Sequence, residues 1–132
     1  APIELQTTSS KYYQRKPGFI HALYHAFEGI THFFTHERNG RIQAFVSFVT
    51  LIAGIALQIS IPEWMAVLIC MGIVISLEMV NTSVEAICNQ MEPGYHPAVK
   101  IIKDVAAGAV LFASMVSLAL AALIFLPKII LQ

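Results

Sequence analysis

The hydrophobic pattern of this chain predicts three membrane-spanning helices. Residues 64–77 and 106–126 contain no charged side chain, and a helix needs about 20 mostly apolar residues to cross a bilayer. A shorter apolar stretch that is rich in small residues precedes them. We therefore predict spans at about 42–61, 63–90 and 98–126.

A separate amphipathic helix is predicted at about 18–38, ahead of the first span. At helical spacing its apolar side chains share one face, which carries Phe19, Ile20, Leu23, Phe27, Ile30 and Phe34. The opposite face carries His21, His25, Glu28, His32 and His36. We expect this helix to lie in the membrane interface, with its imidazoles towards water. A metal site is the alternative interpretation of the histidines, because residues four apart share a helical face.

The sequence predicts one domain with short segments at its two ends. Residues 1–17 should form an N-terminal arm, 18–127 a single membrane domain and 128–132 a tail. The polar stretch 37–43 is expected to join the surface helix to the first span, with a break or bend at Gly40.

The composition supports an integral membrane protein. The 132 residues are 57% hydrophobic and 12% charged, whereas a soluble domain has about 25% charged residues. A small soluble core cannot bury that apolar excess. The formal net charge is zero, and we expect no nucleic-acid partner. Cys70 and Cys88 lie in the second predicted span and are expected to be unpaired thiols.

The distribution of basic residues predicts the orientation. With three spans, every Lys and Arg except Lys128 falls on one side of the membrane. The positive-inside rule assigns that side to the cytoplasm. We therefore predict a multi-pass protein of the cytoplasmic membrane, with its N-terminus and the 92–97 loop in the cytoplasm.

A polar stripe interrupts the second predicted span. Glu78, Asn81, Thr82, Glu85 and Asn89 return to one helical face. A carboxylate in the middle of a membrane helix costs about 2.5–3.5 kcal/mol on insertion scales, so such residues usually serve a site. At 1.5 Å per residue, Glu85 should lie at the cytoplasmic interface and Glu78 roughly 10 Å inside it. The stripe therefore predicts a hydrated site that opens to the cytoplasm.

The residues expected at this level favour phosphoryl transfer. Lys103 and Asp104 of the third span, together with Glu37, can reach the depth of Glu85. Carboxylates suit Mg²⁺, an ammonium group can neutralise phosphate, and a nearby carboxylate can deprotonate a hydroxyl. Neither a P-loop nor a kinase-type glycine loop is present in the sequence.

A structural interpretation of the same residues stays open at this point. Glu78 or Glu85 could form a buried ion pair with Lys103 that locks two helices together. The chain would then be a non-catalytic membrane packing protein. A lipid phosphatase is not favoured, because the sequence has neither a matching nucleophile nor clustered arginines.

Several motifs resemble the prokaryotic diacylglycerol kinase/undecaprenol kinase family. The stretch 78–86 reads Glu-Met-Val-Asn-Thr-Ser-Val-Glu-Ala, and Tyr95-His96-Pro97 and Lys103-Asp104-Val-Ala-Ala-Gly-Ala-Val follow it. Residues 26–30 and 37–42 resemble the amino-terminal signatures of the family. The resemblance covers roughly 19–126, and the stretch from His96 to 110 is more similar to the undecaprenol kinase branch.

The resemblance implies a homotrimer of three-span subunits, whose active sites are shared between neighbours and use ATP and Mg²⁺. It implies that Glu78 is the base towards the lipid hydroxyl, assisted by Asn81 at the phosphoryl group and by Asp104. It implies metal ligation by Glu37 and Glu85. The expected nucleotide-binding residues are Glu37, Glu85, Asn89, His96 and Lys103.

Two departures from the family pattern have expected consequences. Asn89 stands where the family usually has aspartate, so one negative charge is lost. Gly40 replaces a bulky residue and is expected to loosen the turn beside Glu37. The sequence as a whole predicts an ATP- and Mg²⁺-dependent lipid kinase, with undecaprenol as the first expected acceptor and diacylglycerol as the alternative.

Overall fold

The described part of the chain consists of four helices. The computed structural model describes residues 18–91, 94 and 96–131, so the predicted arm at 1–17 lies outside the described residues. The helices are α1 (Phe19–His36), α2 (Arg38–Ala56), α3 (Ile61–Met91) and α4 (Pro97–Ile130), and this part of the chain contains no strand. Helices α2, α3 and α4 are long and apolar enough to cross a membrane. The all-α class and the three spans are therefore confirmed.

Local capping explains where the two long helices begin. Ser60 and Glu63 bond reciprocally, since the Ser60 N–H donates to Glu63 Oε1 at 2.9 Å and the Glu63 N–H donates to Ser60 Oγ at 3.3 Å. This capping box starts α3. At the start of α4, His96 Nδ1 accepts a hydrogen bond from the Ala98 N–H at 3.2 Å. Pro97 follows at the first helical position, where its missing N–H is no loss.

The expected break at Gly40 is wrong. The helical path breaks at Glu37, and Gly40 lies buried in the first turn of α2. A Cβ at Gly40 would overlap the carbonyl oxygen of Phe33, which is the buried residue of α1. Gly40 therefore does not loosen this turn, because its missing side chain allows α2 to pack against the end of α1.

The opposite end of the molecule is held by a small core. Ile59, Val67 and Ile124 are buried together, and Lys128 Nζ lies 3.2 Å from Glu63 Oε1. Helix α4 ends at Ile130 and thus continues into the segment predicted as a tail. These contacts connect the α2–α3 turn to the last turns of α4.

Most apolar side chains of the described residues remain uncovered by the chain itself. Only seven of them are buried. Five residues of the predicted apolar face of α1 are exposed: Phe19, Ile20, Leu23, Phe27 and Ile30. A soluble monomer rarely exposes apolar surface on this scale, so lipid or other subunits must cover it. The interfacial position of α1 stays a prediction. Cys70 and Cys88 are free thiols, as expected.

Candidate active site

Glu78 lies at the centre of the polar stripe, and a residue of α2 holds its side chain by a hydrogen bond. Its side chain is half-buried, and Asn39 Nδ2 donates a hydrogen bond to Glu78 Oε2 at 3.3 Å. Thr82 Oγ1 donates to the Glu78 backbone carbonyl at 2.9 Å, so this hydroxyl is used within the helix. Helix α3 is continuous through Met91, so Glu78, Asn81 and Glu85 do share one face, as the spacing predicts.

Asn81 is the buried polar residue of this stripe. Its side chain is 6% exposed, and its Oδ1 has no hydrogen-bond partner among the described residues. A buried polar atom without a partner costs about 1–3 kcal/mol. Asn81 Oδ1 can therefore still accept a hydrogen bond from water, from a ligand or from another chain.

Lys103 connects α4 to α3 through Asn89. Its Nζ donates to Asn89 Oδ1 at 3.0 Å, and the described residues form no ion pair between Lys103 and Glu78 or Glu85. The described residues therefore do not form the structural ion pair that was the alternative interpretation. Because an amide is a neutral acceptor, the positive charge of Lys103 remains available to an anion such as phosphate.

Asp104 and Glu85 lie at the surface of the subunit. Asp104 pairs with Lys100 one turn earlier on α4, and both side chains are exposed. Glu85 is exposed and has no hydrogen bond within the described part of the chain. His96 uses Nδ1 to cap α4. The structure thus places these three predicted site residues near the same end of α3 and α4 without joining them to Glu78.

Glu37 lies at the break between α1 and α2, close to His32. The distance from His32 Nε2 to Glu37 Oε1 is 3.7 Å, too long for a hydrogen bond, and this buried nitrogen has no hydrogen-bond partner in the described chain. The sequence assigned His32 only to the solvated face of α1. Its contact with Glu37 was missed, because it depends on the direction in which the chain turns after His36.

The carboxylates do not form a complete metal site within one subunit. Among residues 18–91, 94 and 96–131, no three His, Cys, Asp or Glu side chains come together to hold a metal ion. This absence applies to the histidines of α1 and also to Glu37, Glu78 and Glu85. The donor chemistry still fits Mg²⁺, which needs only one or two carboxylates and completes its shell with water and phosphate oxygens. A site of that kind would take its remaining ligands from water and from the phosphates of a nucleotide.

The contact of Asn39 with Glu78 was also not predicted from the sequence. The amide of Asn39 shares no helical face with the predicted stripe, since it belongs to α2. The signals for Asn39 were its place two residues after Glu37 and its membership of the segment 37–42, which resembles a signature of the family. Which side chain of α2 meets Glu78 is decided by the packing of the two helices, and spacing along one helix cannot predict this.

Comparison with known proteins identifies the family. The model of prokaryotic diacylglycerol kinase matches residues 24–125. The chain is 37% identical to the undecaprenol kinase of Bacillus subtilis over 111 residues, which are 84% of this chain and 90% of that protein. It is 28% identical to the diacylglycerol kinase of Synechocystis sp. over 119 residues, which are 89% of this chain and 68% of that protein.

The matched region contains every predicted site residue from Glu37 to Asp104 and nearly all of the three spans. A kinase of this kind phosphorylates a lipid and takes the phosphoryl group from ATP. The membrane-spanning helices agree with a substrate that resides in the bilayer. The chain therefore belongs to the prokaryotic diacylglycerol kinase family, a family of membrane lipid kinases.

Proposed function

We propose that this protein transfers the γ-phosphoryl group of ATP to the hydroxyl of undecaprenol at the cytoplasmic face of the cytoplasmic membrane. The observation that carries the proposal is the half-buried Glu78 carboxylate inside a membrane-spanning helix, oriented by the Asn39 amide. The undecaprenol kinase relative, at 37% identity over 84% of the chain, supports the choice of acceptor.

Glu78 acts as the general base in this proposal. Its carboxylate accepts the proton of the lipid hydroxyl while the hydroxyl oxygen forms a bond to the γ-phosphorus. The bond from that phosphorus to the bridging oxygen breaks, and ADP leaves with its electron pair. Asn39 holds one carboxylate oxygen, which leaves the other for the lipid hydroxyl.

The remaining residues bind and neutralise phosphate. Asn81, whose amide is buried and incompletely bonded, contacts the transferring phosphoryl group. Lys103 contacts the nucleotide phosphates, with Asn89 holding its ammonium group. His96 and Asp104 support the nucleotide side of the site. Glu37 and Glu85 would hold Mg²⁺, which neutralises phosphate charge when it is bound.

The active unit is a homotrimer in this proposal, and each site draws on more than one chain. Support comes from the sparse core of the chain and from the absence, among its described residues, of three acidic, histidine or cysteine side chains grouped to hold a metal ion. A polar stripe in a membrane must face protein or water and not lipid. Neighbouring subunits would both cover this stripe and supply the missing donors.

Diacylglycerol is the second candidate acceptor, and the relative from Synechocystis sp. is the observation that favours it. Both acceptors are lipids with one free hydroxyl, on the prenyl chain of undecaprenol and on the glycerol of diacylglycerol, so the chemistry at Glu78 is the same. The non-catalytic packing protein is the alternative from a different class. The two kinase alternatives differ only in the lipid that is turned over.

A phosphate-transfer assay separates these alternatives. The purified protein is given γ-labelled ATP, Mg²⁺ and micelles that contain undecaprenol, diacylglycerol or the methyl ether of undecaprenol. We expect label in undecaprenyl phosphate and none with the ether, which lacks the hydroxyl. Preferential labelling of diacylglycerol would overturn the choice of acceptor. Absence of label with both alcohols would overturn the kinase proposal.

A further inference from the structure

His32 carries a buried nitrogen that makes no hydrogen bond to any residue the structure describes. This nitrogen is Nε2 of the imidazole ring. The side chain as a whole is 41% exposed, so the exposed part of the ring lies elsewhere and Nε2 points into the protein. A buried polar atom is unfavourable unless something pairs with it. His32 therefore offers one ring nitrogen to a ligand at the break between α1 and α2.

A carboxylate oxygen lies opposite this nitrogen. Glu37 Oε1 is 3.7 Å from His32 Nε2, and the Glu37 side chain is 22% exposed. Neighbouring ligands of one metal ion, each about 2.0–2.2 Å from it, stand about 3–3.5 Å apart. The two atoms are therefore nearly close enough to hold one ion between them. The exposed part of Glu37 gives water and phosphate oxygens access to that ion.

The next turn of α1 holds the His32 ring in its plane. The rings of His32 and His36 are stacked, with centroids 4.7 Å apart and an angle of 10° between the planes. The Thr35 hydroxyl donates its hydrogen to the Thr31 carbonyl at 2.6 Å, so it accepts at 2.8 Å from His36 Nδ1. A ligand whose side chain is held before binding loses less freedom when it binds. His36 and Thr35 thus hold His32 in place.

A nitrogen ligand changes which ion the site prefers. Mg²⁺ takes oxygen ligands and keeps several of its waters, whereas imidazole is a good ligand for first-row transition ions. We propose that His32 Nε2 and Glu37 together bind the divalent cation of this kinase, so that the site prefers a transition ion such as Mn²⁺ to Mg²⁺. This rests on the proposed function, in which Glu85 and the nucleotide phosphates supply further oxygen ligands.

Manganese is the probe, because its unpaired electrons report a nitrogen bound directly to it. The purified full chain, with isotope-labelled histidine, is given Mn²⁺ and a non-hydrolysable ATP analogue, and pulsed electron paramagnetic resonance measures the coupling to the labelled nitrogen. The label separates protein imidazoles from the nucleotide base. We expect a directly bound histidine nitrogen in the wild type. Bound Mn²⁺ without this coupling would overturn the proposal, whether or not any variant folds.

A second histidine–glutamate pair on α1 provides a matched control. His25 Nδ1 lies 3.4 Å from Glu28 Oε2, and both side chains are more than half exposed. His32→Leu should abolish the coupling and raise the Kd for Mn²⁺ about tenfold or more, since even the loss of an outer-shell group costs about 10–100-fold in affinity. The Kd for Mg²⁺, measured by competition, should change little. His25→Leu should retain the coupling and both affinities. Coupling that persists in a folded His32→Leu protein, or that both variants lose equally, would overturn the proposal.

Lipid phosphorylation separates this inference from the proposed function. Histidine coupling in a protein that phosphorylates neither undecaprenol nor diacylglycerol would overturn the kinase and leave the metal ligand standing. An active lipid kinase whose bound Mn²⁺ shows no histidine coupling would overturn the metal ligand and leave the kinase standing.

Discussion

Asn39 of α2 donates a hydrogen bond to the carboxylate of Glu78 on α3, with 3.3 Å between Nδ2 and Oε2. This contact joins the first turn of one predicted span to the middle of the next. It gives Glu78 a fixed orientation without neutralising its charge. The geometry predicts that Asn39 affects the rate of catalysis by positioning Glu78.

Replacing Asn39 by leucine keeps the approximate side-chain size and removes the donor. Hydrogen bonds to charged groups contribute about 1.5–3 kcal/mol, and every 1.4 kcal/mol changes a rate tenfold. We expect kcat to fall about tenfold with the KM values for lipid and ATP nearly unchanged. In a Glu78→Gln background the same replacement should have little further effect, because both residues act as one unit. Full additivity of the two effects would contradict this role.

Gly40 and Gly29 form a matched pair for a test of the α1–α2 contact. A Cβ at Gly40 would overlap Phe33, whereas Gly29 has nothing within 4 Å of its Cβ position. We expect Gly40→Ala to lower the free energy of unfolding by about 1–3 kcal/mol through overpacking. Gly29→Ala should be neutral or stabilising by up to about 1 kcal/mol. Unfolding in detergent, followed by circular dichroism, measures both, and equal effects would contradict the packing described here.

Glu37 and Glu85 are the predicted Mg²⁺ ligands. Replacing either by glutamine removes an anionic oxygen and should move the Mg²⁺ activation curve to higher concentration. Glu63→Gln is the matched control, since Glu63 lies on α3 beside Lys128 at the opposite end of the helix. Activation curves of Glu37→Gln and Glu85→Gln that both overlay the control would exclude these residues as ligands.

The proposal of shared sites predicts complementation between inactive subunits. If Glu37 and Glu78 of one site come from different chains, mixing Glu37→Gln subunits with Glu78→Gln subunits should restore part of the activity. Subunit exchange is verified with two different affinity tags. Mixed trimers without recovery would exclude this arrangement, and a fully active monomer in detergent would exclude the shared site.

The sequence predicted the features that depend on a single helix. The spacing of Glu78, Asn81 and Glu85 places them on one face of α3, and the uncharged stretches locate the membrane spans. The prediction of a break at Gly40 was wrong. A glycine in a polar junction favours a break, but here Gly40 packs against Phe33 of another helix, and such a tertiary contact is not visible in the sequence. It also missed Asn39 and His32, since each reaches its partner only after two helices have packed or the chain has turned.

The most direct test of the account is the turnover of Glu78→Gln under conditions in which ATP, Mg²⁺ and lipid are saturating. The replacement keeps the size of the side chain and removes the proton acceptor. We predict that kcat falls by about 10²–10⁴, while helical content, oligomeric state and lipid binding match the wild type. A purified, folded Glu78→Gln protein that phosphorylates lipid at a near-normal rate would contradict the central role of Glu78.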